Sequence, residues 1–281
     1  ICKKQADRWA KQKRVQVKYF QVPQDTDARL ALFGQYLAAE DASIDIMQID
    51  IIWPAILGPH LVDLTPHLKP EDIDRHFASI IKANTVAGQG LLALPYYTDA
   101  GVLYYRKDLL AKYNKKVPKT WPELIQIASF IKEREVKNNP RLIGYAFQAR
   151  SYEGLTCNII EWFASYGNPN ILDSSGNVVI DSPENRDALK MAKKLFEKAG
   201  AKSLLNYAEE DTRAVFQSGN AVFMRNWPYA WSLANSKDSP VKNKVGVAVL
   251  PRGPGKSGVH AATLGGWNLA VSAYSKHKKL A

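Results

Sequence analysis

Residues 94–110 read Leu-Pro-Tyr-Tyr-Thr-Asp-Ala-Gly-Val-Leu-Tyr-Tyr-Arg-Lys-Asp-Leu-Leu, which puts tyrosines and a carboxylate on two successive extended segments. Aromatic rings stack on the faces of a ligand while an aspartate accepts protons from its hydroxyls. Strand alternation sets Tyr97 and Asp99 on one face and turns Tyr96 to the other, toward a core. The pair suits a polyhydroxylated ligand such as a sugar. Asp50 and Trp53 close the apolar run that starts at Ile44, and in an open α/β sheet ligands sit beyond the carboxyl ends of strands. They read either as a carboxylate beside a stacking indole or as a helix N-cap beside a core Trp. Arg225 has a fork of donors for a ligand or for a carboxylate. Trp227 follows the apolar run Ala221 to Met224. A sugar's C–H face against its indole would bury apolar area without ionic partners. Gly265-Gly266-Trp267 allows backbone to come close beside an aromatic. Trp9, Trp121 and Trp162 read as core or helix-surface residues, and Trp231, four positions after Trp227, marks core more than ligand.

An enzyme reading would make Asp50 and Asp99 the two carboxylates of a glycosidase, which must flank one bond at about 5–10 Å. No G-x-S-x-G, Walker A, G-x-G-x-x-G helix start or H-E-x-x-H occurs. The histidines at 60, 67, 76, 260 and 277 have no ligand spacing. Neither catalysis, a metal nor a cofactor is therefore expected. Cys2 and Cys157 are the only cysteines, too few for a disulfide framework and without C-x-x-C spacing, which leaves two unpaired thiols or a single bridge between them. The net charge of +11 is spread over short basic runs, among them Lys115-Lys116 and Lys276 to Lys279. Without a helix-turn-helix or zinc-finger spacing, that reads as solvated surface and not as a nucleic-acid interface.

With 281 residues the chain exceeds one comfortable core, so two domains are expected. No apolar run approaches the roughly 18 residues of a membrane span. The start Ile1-Cys2-Lys3-Lys4-Gln5 lacks a signal-peptide pattern. Helical periodicity over 2–12 and 27–39, alternation over 15–22 and a buried parallel-type strand over 44–53 together predict an α/β sheet. Thr120 with Glu123 is a capping box with Pro122 in the first turn. A strand is expected over 143–148, a helix over 155–166, a short strand over 178–181 and a long helix from Ser182-Pro183-Glu184 to Lys198.

The hinge-like segment from Pro95 to Leu110, together with Pro118-Lys119-Thr120-Trp121-Pro122-Glu123-Leu124, resembles family 1 extracellular solute-binding proteins. So do Ile44 to Pro54, Phe216 to Met224, Asn226-Trp227-Pro228-Tyr229-Ala230-Trp231 and Leu264 to Ser272. These are the binding components of sugar ABC importers, a group that includes maltose- and trehalose/maltose-binding proteins. The resemblance implies an α/β, two-lobed periplasmic-binding-protein-like fold with a ligand cleft between lobes, trimmed at both ends. It implies a first lobe of 1–99 plus 249–281 and a second of 100–248. It implies ligand contacts from Asp50, Trp53, Tyr97, Asp99, Arg225, Trp227, Gly266 and Trp267. Tyr152 and Glu153 stand where relatives supply polar contacts. The expectation is therefore a binding protein, not an enzyme: a monomer that takes a neutral disaccharide, trehalose or maltose, and meets membrane permease subunits in the periplasm or another extracytoplasmic space. A polyamine or an anion on the same fold is the alternative, and a glycosidase the remote one.

Overall fold

A computed structural model of the chain describes residues 2–281. The strands are β1 (Ile46–Asp50), β2 (Thr85–Val86), β3 (Gly90–Leu91), β4 (Leu94–Ala100), β5 (Val102–Arg106), β6 (Ile143–Ala146), β7 (Ala221–Asn226), β8 (Val245–Ala248) and β9 (Leu264–Val271). The helices are α1 (Cys2–Lys13), α2 (Thr26–Ala38), α3 (Pro54–Leu57), α4 (Pro70–Ile73), α5 (Ala78–Asn84), α6 (Lys107–Lys112), α7 (Trp121–Glu135), α8 (Glu153–Ser165), α9 (Pro183–Ala199), α10 (Glu209–Gln217) and α11 (Ala230–Ala234).

Two larger sheets and the small β2-β3 pair divide the strands. One large sheet has the order β1-β9-β4 and the other β6-β7-β5-β8. Each has its own core: Phe33, Leu37, Met47, Ile49, Leu92 and Ala270 beside the first, and Leu103, Trp121, Leu124, Phe163, Leu195 and Phe223 beside the second. The expected parallel strand is shorter than the apolar run. It pairs antiparallel with β9, because the strand that fills the sheet's centre returns from the far end of the chain.

Local signals explain the main helices. Thr120 and Glu123 form the capping box of α7, whose residues Trp121, Leu124, Ala128 and Ile131 are fully buried at helical spacing. Asp25 caps α2 by accepting from Ala28 N at 3.0 Å, and Ser182 caps α9 by accepting from Asn185 N at 3.1 Å. Two expected strands do not form. Residues 15–22 carry the right alternation but have no strand partner, and 178–181 contributes only an isolated bridge, Leu172 to Val178. A strand needs an edge to pair with, which alternation alone cannot supply. Beyond Ser275 the chain forms turns.

The chain passes from the first sheet to the second at Gly101, between β4 and β5. The resemblance implies a return at 249, and the structure places it later. Residues 250–263 stay with the larger core: Leu250 is part of it, Gly253 N donates to Ser165 O at 2.9 Å, and Thr263 Oγ1 donates to Cys157 O at 2.8 Å. The crossing follows Thr263, where β9 begins.

Candidate functional site

The first sheet builds one wall through its register. Asp50 and Tyr97 stand on either side of Trp267 across β9, and directly opposed residues of an antiparallel pair share a face. The Arg29 guanidinium from α2 lies over the Trp267 ring, 4.5 Å from its centroid. Tyr97 keeps 44% of its surface exposed, with its ring edge-on to Tyr96 at 5.5 Å. Tyr96 departs from the alternation. The ladder shifts between Pro95 and Tyr97, a bulge that leaves Tyr96 off the core face, where its hydroxyl donates to Gln5 Oε1 at 2.8 Å.

The second wall comes from the larger body. Trp227, at the end of β7, reaches back to the first sheet. A Cβ at Gly265 would meet the Trp227 ring at 2.8 Å and Asp99 Oδ1 at 2.6 Å. A side chain there would fill the space that brings indole and carboxylate together. Trp227 Nε1 donates to Glu209 Oε1 at 3.4 Å, and the Tyr152 hydroxyl donates to Glu209 Oε2 at 2.7 Å. Glu153, one residue on, accepts from Cys157 Sγ at 2.8 Å. Cys157 is a free, buried thiol; the Cys2 side chain lies outside the described residues.

These carboxylates feel one another. Burial pushes the Asp50 carboxyl up to about 7, and Glu153, Glu209 and Asp99 add to the rise. Burial lifts Asp99 to about 6 against the opposing pull of Arg225, and burial also raises Glu153. A carboxyl whose folded value lies above its unfolded one holds its proton more tightly in the folded chain. Its destabilising contribution is absent below the unfolded value and complete above the folded one. We expect the urea midpoint to fall as pH rises from about 5 to about 8, and Asp50→Asn to raise it more at the upper end than at the lower. A variant that shifts both midpoints equally would show that Asp50 is not held protonated.

Three expected ligand residues take other places. Trp53 is 3% exposed and packs edge-on against Phe33 at 6.4 Å and Trp267 at 5.7 Å, so it backs the wall from the core. Gly266 approaches its own sheet instead of a ligand: at φ +140° a Cβ there would lie 2.5 Å from the Tyr97 carbonyl oxygen. Arg225 is wholly buried. Its fork is spent on Glu161, Nε to Oε2 at 3.0 Å and Nη2 to Oε1 at 2.6 Å, with Nη1 on Gln148 at 3.3 Å. Burial works against its charge and Glu161 overrides that, leaving the guanidinium more basic than usual. It still serves the wall, because it lies 3.9 Å from the Trp227 ring centroid and supports that ring from one side. Asp50, Tyr97, Asp99, Tyr152, Glu153, Trp227 and Trp267 come together. Glu209 and Arg29 join them without having been singled out in the sequence; the acidic first turn Glu209-Glu210-Asp211 reads there only as a helix start.

Among the described residues, no group of histidines, cysteines and carboxylates has the geometry to hold a metal ion, and no helix is long and apolar enough to cross a membrane. Residues 4–281 match the model of the bacterial extracellular solute-binding protein family. A probable ABC transporter-binding protein of Deinococcus radiodurans is 48% identical over 279 residues, which is 99% of this chain and 66% of that protein. The chain thus spans just under two thirds of that relative, and half of a putative binding protein of Brucella abortus that is 28% identical. Among solved structures, maltose-bound MalE3 of T. maritima superposes with a TM-score of 0.89 at 42% identity, covering 99% of this chain and 71% of that one. A solute-binding protein of Agrobacterium vitis with bound D-mannitol gives 0.78 at 25% identity, covering 99% and 67%.

Proposed function

Since the chain belongs to the bacterial extracellular solute-binding proteins, with the mixed α/β fold of periplasmic binding proteins, we propose that it is the substrate-binding part of an ABC importer for a neutral disaccharide or oligosaccharide. The observation that carries this is the meeting of Trp227 and Asp99 over Gly265, an aromatic platform and a hydroxyl acceptor contributed by different sheets. The maltose held by MalE3 makes maltose the first sugar to test, with trehalose second. The mechanism is binding. Residues 1–100 with 264–281 form one moving body and 101–263 the other, contacts on both favour the closed form, and the closed form is what permease subunits meet in an extracytoplasmic space.

A second reading has an observation of its own. Asp50, Asp99, Glu153 and Glu209 form a surplus of carboxylates among the rings, which a polyamine would match. The raised Asp50 and Asp99 values favour the neutral ligand, because a protonated carboxyl donates to a sugar oxygen as readily as an ionised one accepts from a hydroxyl. Titration calorimetry with maltose, trehalose, maltotriose, mannitol and spermidine decides between them. Spermidine heat without sugar heat would overturn the sugar reading. Within the sugar reading, Asp99→Ala should weaken maltose binding by about 1.5–3 kcal/mol while the circular dichroism spectrum and melting curve stay close to those of the parent. Unchanged affinity in the folded variant would remove Asp99 from the site.

A further inference from the structure

We propose that Arg150 latches the two bodies shut and, through Tyr152, positions Glu209 and Trp227; the second half of this rests on the binding reading above. Arg150 follows β6 and belongs to the larger body, its backbone N donating to Tyr207 O at 3.3 Å. Its guanidinium crosses to the other body, where Nη2 lies 2.7 Å from Asp25 Oδ2 and 3.3 Å from Asp27 Oδ2 at the start of α2. Among the described residues, no other ion pair joins the two bodies. The same guanidinium lies over the Tyr152 ring, 4.4 Å from its centroid. Tyr152 in turn donates to the carboxylate that accepts from the Trp227 indole. One arginine therefore joins the contact that forms on closure to the ring that carries the ligand. Opening pulls the start of α2 away from the start of α8, so both pairs break together. Pairs this exposed add little to folding, but a two-state balance responds to a modest difference.

Arg150→Met removes the charge and keeps a side chain of comparable length over Tyr152. Asp25→Asn with Asp27→Asn removes the opposing charges and keeps the α2 cap, since Asn caps as well as Asp. Each is expected to weaken maltose binding about three- to tenfold, chiefly by faster release, and the triple variant is expected to lose no more than either. Parent affinity should fall when salt rises from about 50 mM to about 500 mM, and Arg150→Met should not respond. Additive losses, or equal salt responses in parent and variant, would overturn the latch. A sugar-free readout separates it from the binding reading: spin labels at Gln35→Cys and Lys194→Cys in a Cys2→Ser background, with the distance between them measured without ligand. Arg150→Met should shift the distribution to longer distances, and an unchanged distribution discards the latch. If the distances respond while no sugar binds, the latch stands and the sugar reading falls.

Discussion

Glu161→Ala is expected to cost about 3–5 kcal/mol of folding stability, because it leaves the Arg225 guanidinium buried without its partner. Glu161 is 1% exposed and Arg225 0%, so water does not reach the orphaned charge. The carboxylate also accepts from Thr263 N at 3.1 Å, and a Cβ at Gly101 would collide with it. Both crossings of the chain therefore lose a contact in one substitution. Urea denaturation of Glu161→Ala, Arg225→Met and the Glu161→Met/Arg225→Met pair gives the check. The double variant should be more stable than Glu161→Ala, since removing both charges removes the unpaired one. A single variant within about 1 kcal/mol of the parent would mean that water or a neighbour replaces Glu161, contrary to the burial of the pair.

The second large effect separates a packing tryptophan from one at the candidate site. Trp162 is 4% exposed and packs edge-on against Phe147 at 5.5 Å. Phe147 stacks on Tyr145 at 5.4 Å, and Tyr145 meets Trp121 at 6.2 Å. Trp162→Ala interrupts this file of rings and should cost about 3–5 kcal/mol of stability. Trp227→Ala opens a partly exposed wall instead. It should lower the denaturation midpoint much less and reduce maltose affinity by at least tenfold, a loss of about 1.4 kcal/mol or more. Calorimetric titration beside urea denaturation on both variants tests the ranking, and the reverse order would make Trp227 the packing residue.

What the sequence discloses here is mostly local. Thr120 with Glu123 states a helix start that needs nothing from the rest of the chain. Tyr97 and Asp99 lie two apart in a strand whose pattern is plain, and Trp227 follows a strand buried along its length. What it conceals is tertiary. Residues 15–22 alternate like a strand and find no edge. The bulge at Tyr96 cannot be seen before β9 is laid beside β4. Trp53 and Trp267 have the same residue type and neighbouring positions on the wall, yet only the packing of Phe33 decides which one the core keeps. Arg225 is claimed by Glu161, a residue 64 positions away, and no spacing rule announces that. Glu209 enters the site on a helix whose acidic first turn has a sufficient local explanation.

Glu161 touches the outward crossing at Gly101 and the return crossing at Thr263, and in the closure proposed above the hinge rotation would run through these points where the chain changes body. The ion pair thus sits on the axle, and distance from it acts as leverage. Trp227, packed against Gly265 beside the return crossing, swings little and is nearly preformed before closure. Glu153 stands on the same helix as Glu161, eight residues nearer its start and so about 12 Å out along the arm. Each ten degrees or so of turning carries it through an arc of up to about 2 Å. In that proposed closure the ring waits for the ligand, and the helix tip with Tyr152 and Glu153 travels to meet it.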